Sequence, residues 1–181
     1  MGNFLRLFAL FFFACLCAFG EKESVFSLGV ESLIEKAKAG NTASQIKLGE
    51  YYLNGIIVSK NEKEAFKWFL KAAKSNSSEA LYNVGICYIN GIGVAQDECK
   101  GVEYMRKAAR LKNKLAIYNL GVCYANGIGV ECDNTKAYAL FSLIWRDVDE
   151  ARQAMDMIFA NMTPDEKQKA QTLKNNPSGV F

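Results

Sequence analysis

Apolar positions recur along this chain with the spacing of amphipathic helices, and the whole pattern then repeats. Tyr82 and Gly85 lie three positions apart, and Val84 and Tyr88 four, as residues on one helix face do. The same pattern occurs 36 residues earlier and 36 residues later. The matched pairs are Leu48-Gly49, Val84-Gly85 and Leu120-Gly121, and then Asn54-Gly55, Asn90-Gly91 and Asn126-Gly127. A period of this size is typical of solenoids, in which each unit buries its apolar face against its neighbours.

Each unit predicts a hairpin of two helices. The first helix is expected to begin after Asn41, Ser77 or Asn113, since all three residue types cap helix N-termini. It should end at an Asn-Gly pair, with Gly55, Gly91 or Gly127 supplying the left-handed turn. Asp97 and Asp133 then begin the second helix. On that helix the pattern predicts Val102, Met105 and Ala109 inward and Arg106 outward.

Three glycines, Gly49, Gly85 and Gly121, fall inside the first helices, where glycine costs roughly 1 kcal/mol relative to alanine. We interpret them as points of close helix–helix approach. Their predicted partners are the alanine pairs Ala72-Ala73 and Ala108-Ala109. A second loop glycine occurs at Gly93 and Gly129, whereas the first unit has Ile57 there. Ile57 is strained if this position requires a positive φ.

The array has distinct ends. Residues 21–40 match the second helix of a preceding unit, and a capping box at Thr163-Pro164-Asp165-Glu166 opens the last helix. The predicted divisions are a signal peptide at 1–20, a half repeat at 21–40, repeats at 41–76, 77–112 and 113–148, capping helices at 149–174, and a flexible tail at 175–181. The half repeat, the three repeats and the caps are all predicted as helices, so the fold class is all-α.

The N-terminus has the pattern of a secretory signal. Arg6 precedes the apolar run Leu7–Cys17, and small residues before Glu21 suit a signal peptidase. The uncharged stretch from Leu7 to Gly20 is shorter than the roughly 20 residues of a membrane span, which disfavours an uncleaved anchor. We therefore expect an exported protein, periplasmic or secreted, with no integral membrane segment in the mature chain.

Charge and composition exclude several functions. The full chain carries a net charge of +3, and removing Arg6 leaves +2, so neither nucleic acid nor an anionic membrane is indicated as a partner. The chain has no histidine and no CxxC pair, so no metal and no cofactor are predicted. The four mature cysteines favour disulfides in an exported chain. Equivalent positions of neighbouring helices are too far apart, so we predict Cys87–Cys99 and Cys123–Cys132, one within each hairpin.

The repeats resemble the Sel1-like family, relatives of the tetratricopeptide repeats. The third unit carries the family pattern at Leu120, Gly121, Tyr124, Gly127, Gly129, Val130, Asp133 and Lys136. The resemblance implies a right-handed α-solenoid of helix-turn-helix units that acts as an adaptor for partner proteins. Export and cysteine content make the chain similar to the Helicobacter cysteine-rich proteins, a secreted bacterial group described as penicillin-binding or weakly β-lactamase-like.

Enzymatic chemistry has one candidate, the S-x-x-K motif formed by Ser44 and Lys47. It gives the alternative function of a penicillin-binding or weak β-lactamase-like hydrolase of the cell envelope. The S-D-N and K-T-G elements of such enzymes are absent. Ser44 also shares its register with Ala80 and Ala116, the small packing position. Packing therefore outweighs catalysis, and a non-enzymatic function is expected.

The stacked first helices are expected to line a concave groove. At two registers the groove would present Lys47, Asn83 and Asn119, and Glu50, Ile86 and Val122. Asparagine side chains can bond the backbone of an extended peptide, and apolar neighbours add contact area. A solvated polar face is the alternative. The predicted partner is a protein or extended peptide, and the chain is expected to be a monomer.

Overall fold

The computed structural model describes residues 29–56, 59–176 and 179–180, and all regular structure in these ranges is helical. The first helix, α1, covers residues 29–38 of the described chain. The others are α2 (Thr42–Asn54), α3 (Glu62–Ala73), α4 (Ser78–Asn90), α5 (Glu98–Arg110), α6 (Lys114–Asn126), α7 (Asn134–Ser142), α8 (Asp149–Asn161) and α9 (Pro164–Asn175). The predicted signal peptide at 1–20 lies outside the described residues.

The helices pack as consecutive hairpins. The helix α2 packs on α3, α4 on α5, and α6 on α7, while α3 and α5 also pack on the first helix of the following repeat. The last repeat is covered by α8 and α9, both of which contact α7. This arrangement is the predicted α-solenoid with capping helices.

Local capping fixes where the helices begin and end. Asn41, Ser77 and Asn113 each accept a hydrogen bond from the backbone N–H three residues on. Asn61, Asp97 and Asp133 do the same for the second helices. Thr163 and Glu166 form the predicted capping box, with Pro164 in the first turn. Gly55, Gly91 and Gly127 end the first helices in the left-handed conformation. The predicted caps are confirmed because each depends on sequence within one helical turn.

The interior glycines do mark close helix contacts. A Cβ on Gly49 would lie 2.6 Å from Phe69 Cε1, and one on Gly121 would lie 2.6 Å from Phe141 Cε1. A Cβ on Gly85 would lie 3.1 Å from the Gly101 carbonyl oxygen. The first helix thus accommodates a large side chain or the backbone of its hairpin partner.

The alanine pairs are not the opposing residues, so that prediction is wrong. Phe69, Met105 and Phe141, all at one register, fill this position instead. Ala72 is buried in one core cluster with Ala80 of the following repeat, and Ala108-Ala109 in another with Ala116. The small residues serve the contact between repeats, whereas a glycine under a bulky side chain serves the contact within each hairpin.

The second loop glycines lie against the preceding repeat. Gly93 and Gly129 have φ values of +69° and +64°. A Cβ on Gly93 would lie 2.0 Å from the Glu62 carbonyl oxygen, and one on Gly129 would lie 2.4 Å from that of Glu98. Each loop therefore covers the first turn of the previous second helix. Ile57, the equivalent residue of the first repeat, lies outside the described residues.

The core continues to the C-terminus. Its largest cluster joins residues from α4 to α8 and includes Val180, which is 1% exposed. The flexible tail at 175–181 stays a prediction, and within it the described Val180 is an apolar side chain buried in the core. Within the described ranges, no helix is both long and apolar enough to cross a membrane.

Candidate peptide-binding surface

The first helices of the three repeats share one accessible surface. In α4, Glu79, Asn83, Ile86 and Asn90 are spaced three or four residues apart and stay at least partly exposed. This spacing puts them on one face of the helix. Together with their equivalents they form what we call the first-helix surface: Lys47, Glu50 and Asn54 of α2; Glu79, Asn83, Ile86 and Asn90 of α4; Leu115, Asn119, Val122 and Asn126 of α6.

The asparagines of this surface differ in their bonding. Asn119 Nδ2 donates to Tyr82 Oη at 3.2 Å and to the Leu115 carbonyl oxygen at 3.0 Å. Asn83 is half-buried, and its side chain makes no hydrogen bond to any described residue. The two equivalent asparagines therefore differ. The side-chain amide of Asn119 is hydrogen-bonded, whereas the donor and the acceptor of the Asn83 side chain both remain available.

The Tyr82–Asn119 bond joins two successive first helices. Tyr82 belongs to α4 and Asn119 to α6. Burial raises the pKa of the Tyr82 hydroxyl, while the bond from Asn119 lowers it. Because the net direction of the pKa is upward, the hydroxyl stays protonated at neutral pH, and the bond links α4 to α6.

The two ends of the surface differ in polarity. At the α2 end, burial raises the pKa of the Glu50 carboxyl, the charge of Glu79 raises it further, and Lys47 lowers it. The Lys47 ammonium lies 5.8 Å from the centroid of the Tyr51 ring. At the α6 end, Leu115 is 58% exposed and Val122 is half-buried. The surface therefore runs from charged to apolar along the stack.

The family model for the Sel1 repeat matches residues 42–77, 78–113 and 114–143. The chain belongs to the Sel1 repeat family. Repeats of this family typically mediate protein interaction. The chain is similar to the crystal structure of a Sel1 repeat protein from Oxalobacter formigenes, with 29% identity, a TM-score of 0.63, and coverage of 71% of this chain and 97% of that chain.

Two further solved structures resemble this Sel1 repeat protein. A protective antigen of uropathogenic Escherichia coli with an SLR fold is 25% identical with a TM-score of 0.61, covering 84% of this chain but 41% of that one. Helicobacter pylori cysteine rich protein B is 25% identical with a TM-score of 0.54, covering 67% and 93%. No curated protein matches the chain.

The Ser44 and Lys47 side chains are not brought together. Ser44 is 8% exposed, like the buried Ala80 and Ala116 at its register, whereas Lys47 is exposed. No hydrogen bond joins the two side chains within the described part of this Sel1 repeat protein. Ser44 of the S-x-x-K motif therefore occupies the small packing position of the repeat.

The four described cysteines are free thiols. Cys87 and Cys123 are buried, and Cys99 and Cys132 are exposed. Burial raises the pKa of Cys87 and of Cys123 to about 11, and the charges of Glu62 and Glu98 add to these shifts. Both glutamates belong to the preceding repeat, so the buried thiols face backward along the stack.

The structure therefore contains neither predicted bridge. The Cys87–Cys99 and Cys123–Cys132 pairs were expected because each hairpin folds back on itself. Instead, Cys87 packs in a cluster with Phe66 and Ala72 of α3. Cys132 Sγ donates to the Ala125 carbonyl oxygen at 3.3 Å. Helical periodicity predicts which face of a helix is buried, but it does not predict which neighbouring helix packs against that face.

One polar contact between repeats was not predicted. Arg106 was expected to point outward, but its Nη2 donates to Tyr124 Oη at 2.8 Å. Its Nε is buried and has no hydrogen-bond partner in the described residues. The Lys136 ammonium also lies over the Tyr124 ring, 5.1 Å from its centroid. A residue pair this distant in sequence leaves no periodic signal.

Two clefts lie away from the first-helix surface. One, of about 710 Å³, lies between α3 and the loop of the next repeat, and the other, of about 630 Å³, between α7 and α9. Their linings are Lys60–Lys63, Gly91 and Gly93–Ala95 for the first, and Thr135, Asp165, Gln168, Lys169, Thr172 and Leu173 for the second. Among the described residues, no group of three or more cysteines or carboxylates is placed to hold a metal ion.

Proposed function

We propose that this Sel1 repeat protein is an exported, non-enzymatic adaptor that binds an extended segment of a partner protein on its first-helix surface. The observation that carries the proposal is the carboxamide of Asn83, which is half-buried beside Ile86 and makes no hydrogen bond to any of the residues that the structure describes. An unpaired polar group in a partly desolvated position gains from a partner that supplies both a donor and an acceptor. A peptide backbone does this, and Ile86 and Val122 offer contact to its side chains.

Binding is tested with the mature chain, residues 21–181. Random peptides long enough to cross three helices are displayed on phage, and the selected peptides are measured by fluorescence polarisation. We expect Asn83→Ala to weaken binding about tenfold and Ile86→Asp to abolish it, because the first removes the backbone contact and the second buries a charge.

A matched control separates this surface from the rest of the molecule. Glu103→Ala changes an exposed residue of α5, on a second helix, and should leave binding unchanged. Equal losses in all three variants would contradict the proposal. Far-UV circular dichroism of each variant checks that it remains folded.

Export, to the periplasm or the medium, is proposed from the apolar run and the small residues before Glu21. The full chain is expressed in a bacterium, and the mass of the exported protein is determined. We expect a mature N-terminus at Glu21 in the periplasm or medium. A full-length product retained in the cytoplasm would overturn this part of the proposal.

The hydrolase alternative makes a different prediction. It requires covalent labelling by a fluorescent penicillin and loss of that label in Ser44→Ala. We expect no label, since Ser44 is buried and no hydrogen bond joins its side chain to Lys47 within the described residues. Stoichiometric label that depends on Ser44 would replace the adaptor proposal with the hydrolase.

A further inference from the structure

The first-helix surface carries its charge at one end only. Glu50 of α2 and Glu79, in the first turn of α4, are both accessible, and neither takes part in an ion pair among the described residues. Lys47 is the nearby cation, but no ion pair joins it to either carboxylate in that part of the chain. Two neighbouring acids are thus at least partly exposed, with one lysine near enough to Glu50 to lower the pKa of its carboxyl but not ion-paired to it.

The other end of the surface presents apolar side chains at the same registers. Leu115 replaces Glu79, and Val122 replaces Glu50. Leu115 is one of the most exposed large apolar residues that the structure describes. A segment crossing from α2 to α6 therefore leaves an acidic environment and enters an apolar one.

We infer that this surface binds its peptide in one direction, with a basic side chain of the peptide against Glu50 and Glu79 and apolar side chains over the α6 end. The inference rests on the proposed function and adds the chemistry of the partner. Charge complementarity selects the basic residue, because like charges at an interface are unfavourable and opposite charges set register. The apolar end supplies contact area that a polar segment could not use.

The spacing of the helices gives the spacing in the peptide. The first helices α4 and α6 each pack on α5 rather than directly on each other. They therefore lie no closer than the roughly 8–10 Å of packed helices, and an extended chain that advances about 3.3 Å per residue needs at least about three residues to cross from one to the next. The Tyr82–Asn119 hydrogen bond links α4 to α6 across this step. The expected partner segment has a lysine or arginine followed, or preceded, by apolar residues at steps of three or more.

The test compares the peptides selected by three forms of the mature chain. Wild type should enrich a basic residue at one end of an apolar motif. Glu79→Lys should weaken the best such peptide about tenfold, and replacing its basic residue by glutamate should restore binding to that variant. Glu103→Lys makes the same charge change on α5 and should have no effect.

The outcomes separate this inference from the proposed function. If Ile86→Asp abolishes binding but Glu79→Lys has no more effect than Glu103→Lys, the surface binds peptides and the directional inference is wrong. The same holds if the selected peptides show no basic preference. If no peptide binds the wild-type chain, both the proposed function and the inference fall.

Discussion

Two sets of glycines in this solenoid perform different tasks, one within repeats and one between them. Inside the hairpins, Gly49 and Gly121 lie under the rings of Phe69 and Phe141. Between repeats, Gly93 and Gly129 lie against backbone carbonyl groups of the preceding second helix, and both have positive φ. A side chain can move by a few tenths of an ångström, whereas the backbone of a capped helix cannot. The contact between repeats is therefore the less tolerant of the two.

The largest effect is expected for Gly93→Ala. Its Cβ would lie 2.0 Å from the Glu62 carbonyl oxygen, and its φ of +69° disfavours any L side chain. The free energy of unfolding should fall by about 4 kcal/mol, from the overlap and the left-handed conformation together. Urea denaturation measures it.

Gly91→Ala is the control from the same loop. It has the same φ of +69°, but its Cβ would meet nothing nearer than 3.4 Å. It should cost only about 1 kcal/mol, from the backbone conformation. Similar losses in the two variants would show that the loop does not depend on contact with α3.

Gly85→Leu tests the contact within a hairpin. A branched side chain would be forced against Gly101 and Met105 of α5, at a cost of about 3 kcal/mol. Gly85→Ala should cost less, about 1 kcal/mol, because Met105 can move and the gain in helix propensity of about 1 kcal/mol offsets part of the crowding against the Gly101 carbonyl oxygen. Thermal melting of the Leu variant close to that of wild type would mean that these glycines do not mark helix contacts.

The reactivity of the cysteine thiols measures whether the contacts between repeats are intact. In native protein, Cys99 and Cys132 should react with iodoacetamide while Cys87 and Cys123 are protected, because burial raises the pKa of the latter two to about 11. In Gly93→Ala, Cys87 should become reactive while Cys123 stays protected. Mass spectrometry of the peptides measures this, and a Cys87–Cys99 bridge in the native protein would contradict the free thiols.

The smallest effect is expected at a helix N-cap, which belongs neither to the contact within a hairpin nor to the contact between repeats. Asn113 accepts a hydrogen bond from the backbone N–H of Ala116 at 2.9 Å, and Asn113→Ala should cost about 1 kcal/mol. Asn83→Ala, on an accessible position without such a bond, should leave the unfolding free energy unchanged. A loss in Asn83→Ala as large as that in Asn113→Ala would show that the Asn83 amide has a structural partner.

Sequence predicted the features that depend on a few neighbouring residues. The caps at Asn41, Ser77 and Asn113, and the box at Thr163, each follow from one turn of chain. The helix positions and the registers of the first-helix surface follow from the 36-residue repeat. The function of that surface stays a proposal, because exposure at a register does not identify what binds there.

Features that depend on which helix lies opposite were not predictable. Phe69 and Ala72 are three residues apart and share a helix face, so periodicity could not tell which one meets Gly49. Asn83 and Asn119 occupy equivalent positions of the repeat, but only Asn119 is hydrogen-bonded to the tyrosine Tyr82, and the repeat pattern does not predict this difference. Cys87 faces backward along the stack, and only the packed structure distinguishes that direction from the forward one.

The loop that covers α3 belongs to the next repeat, so the order in which the chain is synthesised decides when each repeat is completed. On the ribosome, α3 emerges before Gly93, so its first turn stays open until the loop of the second repeat has been made. The same delay separates α5 from Gly129. Each unit is completed by its successor, and a nascent chain that stalls between repeats always ends in one unfinished unit. Truncation before Gly129 therefore exposes the first turn of α5, which the loop of the third repeat covers in the full chain.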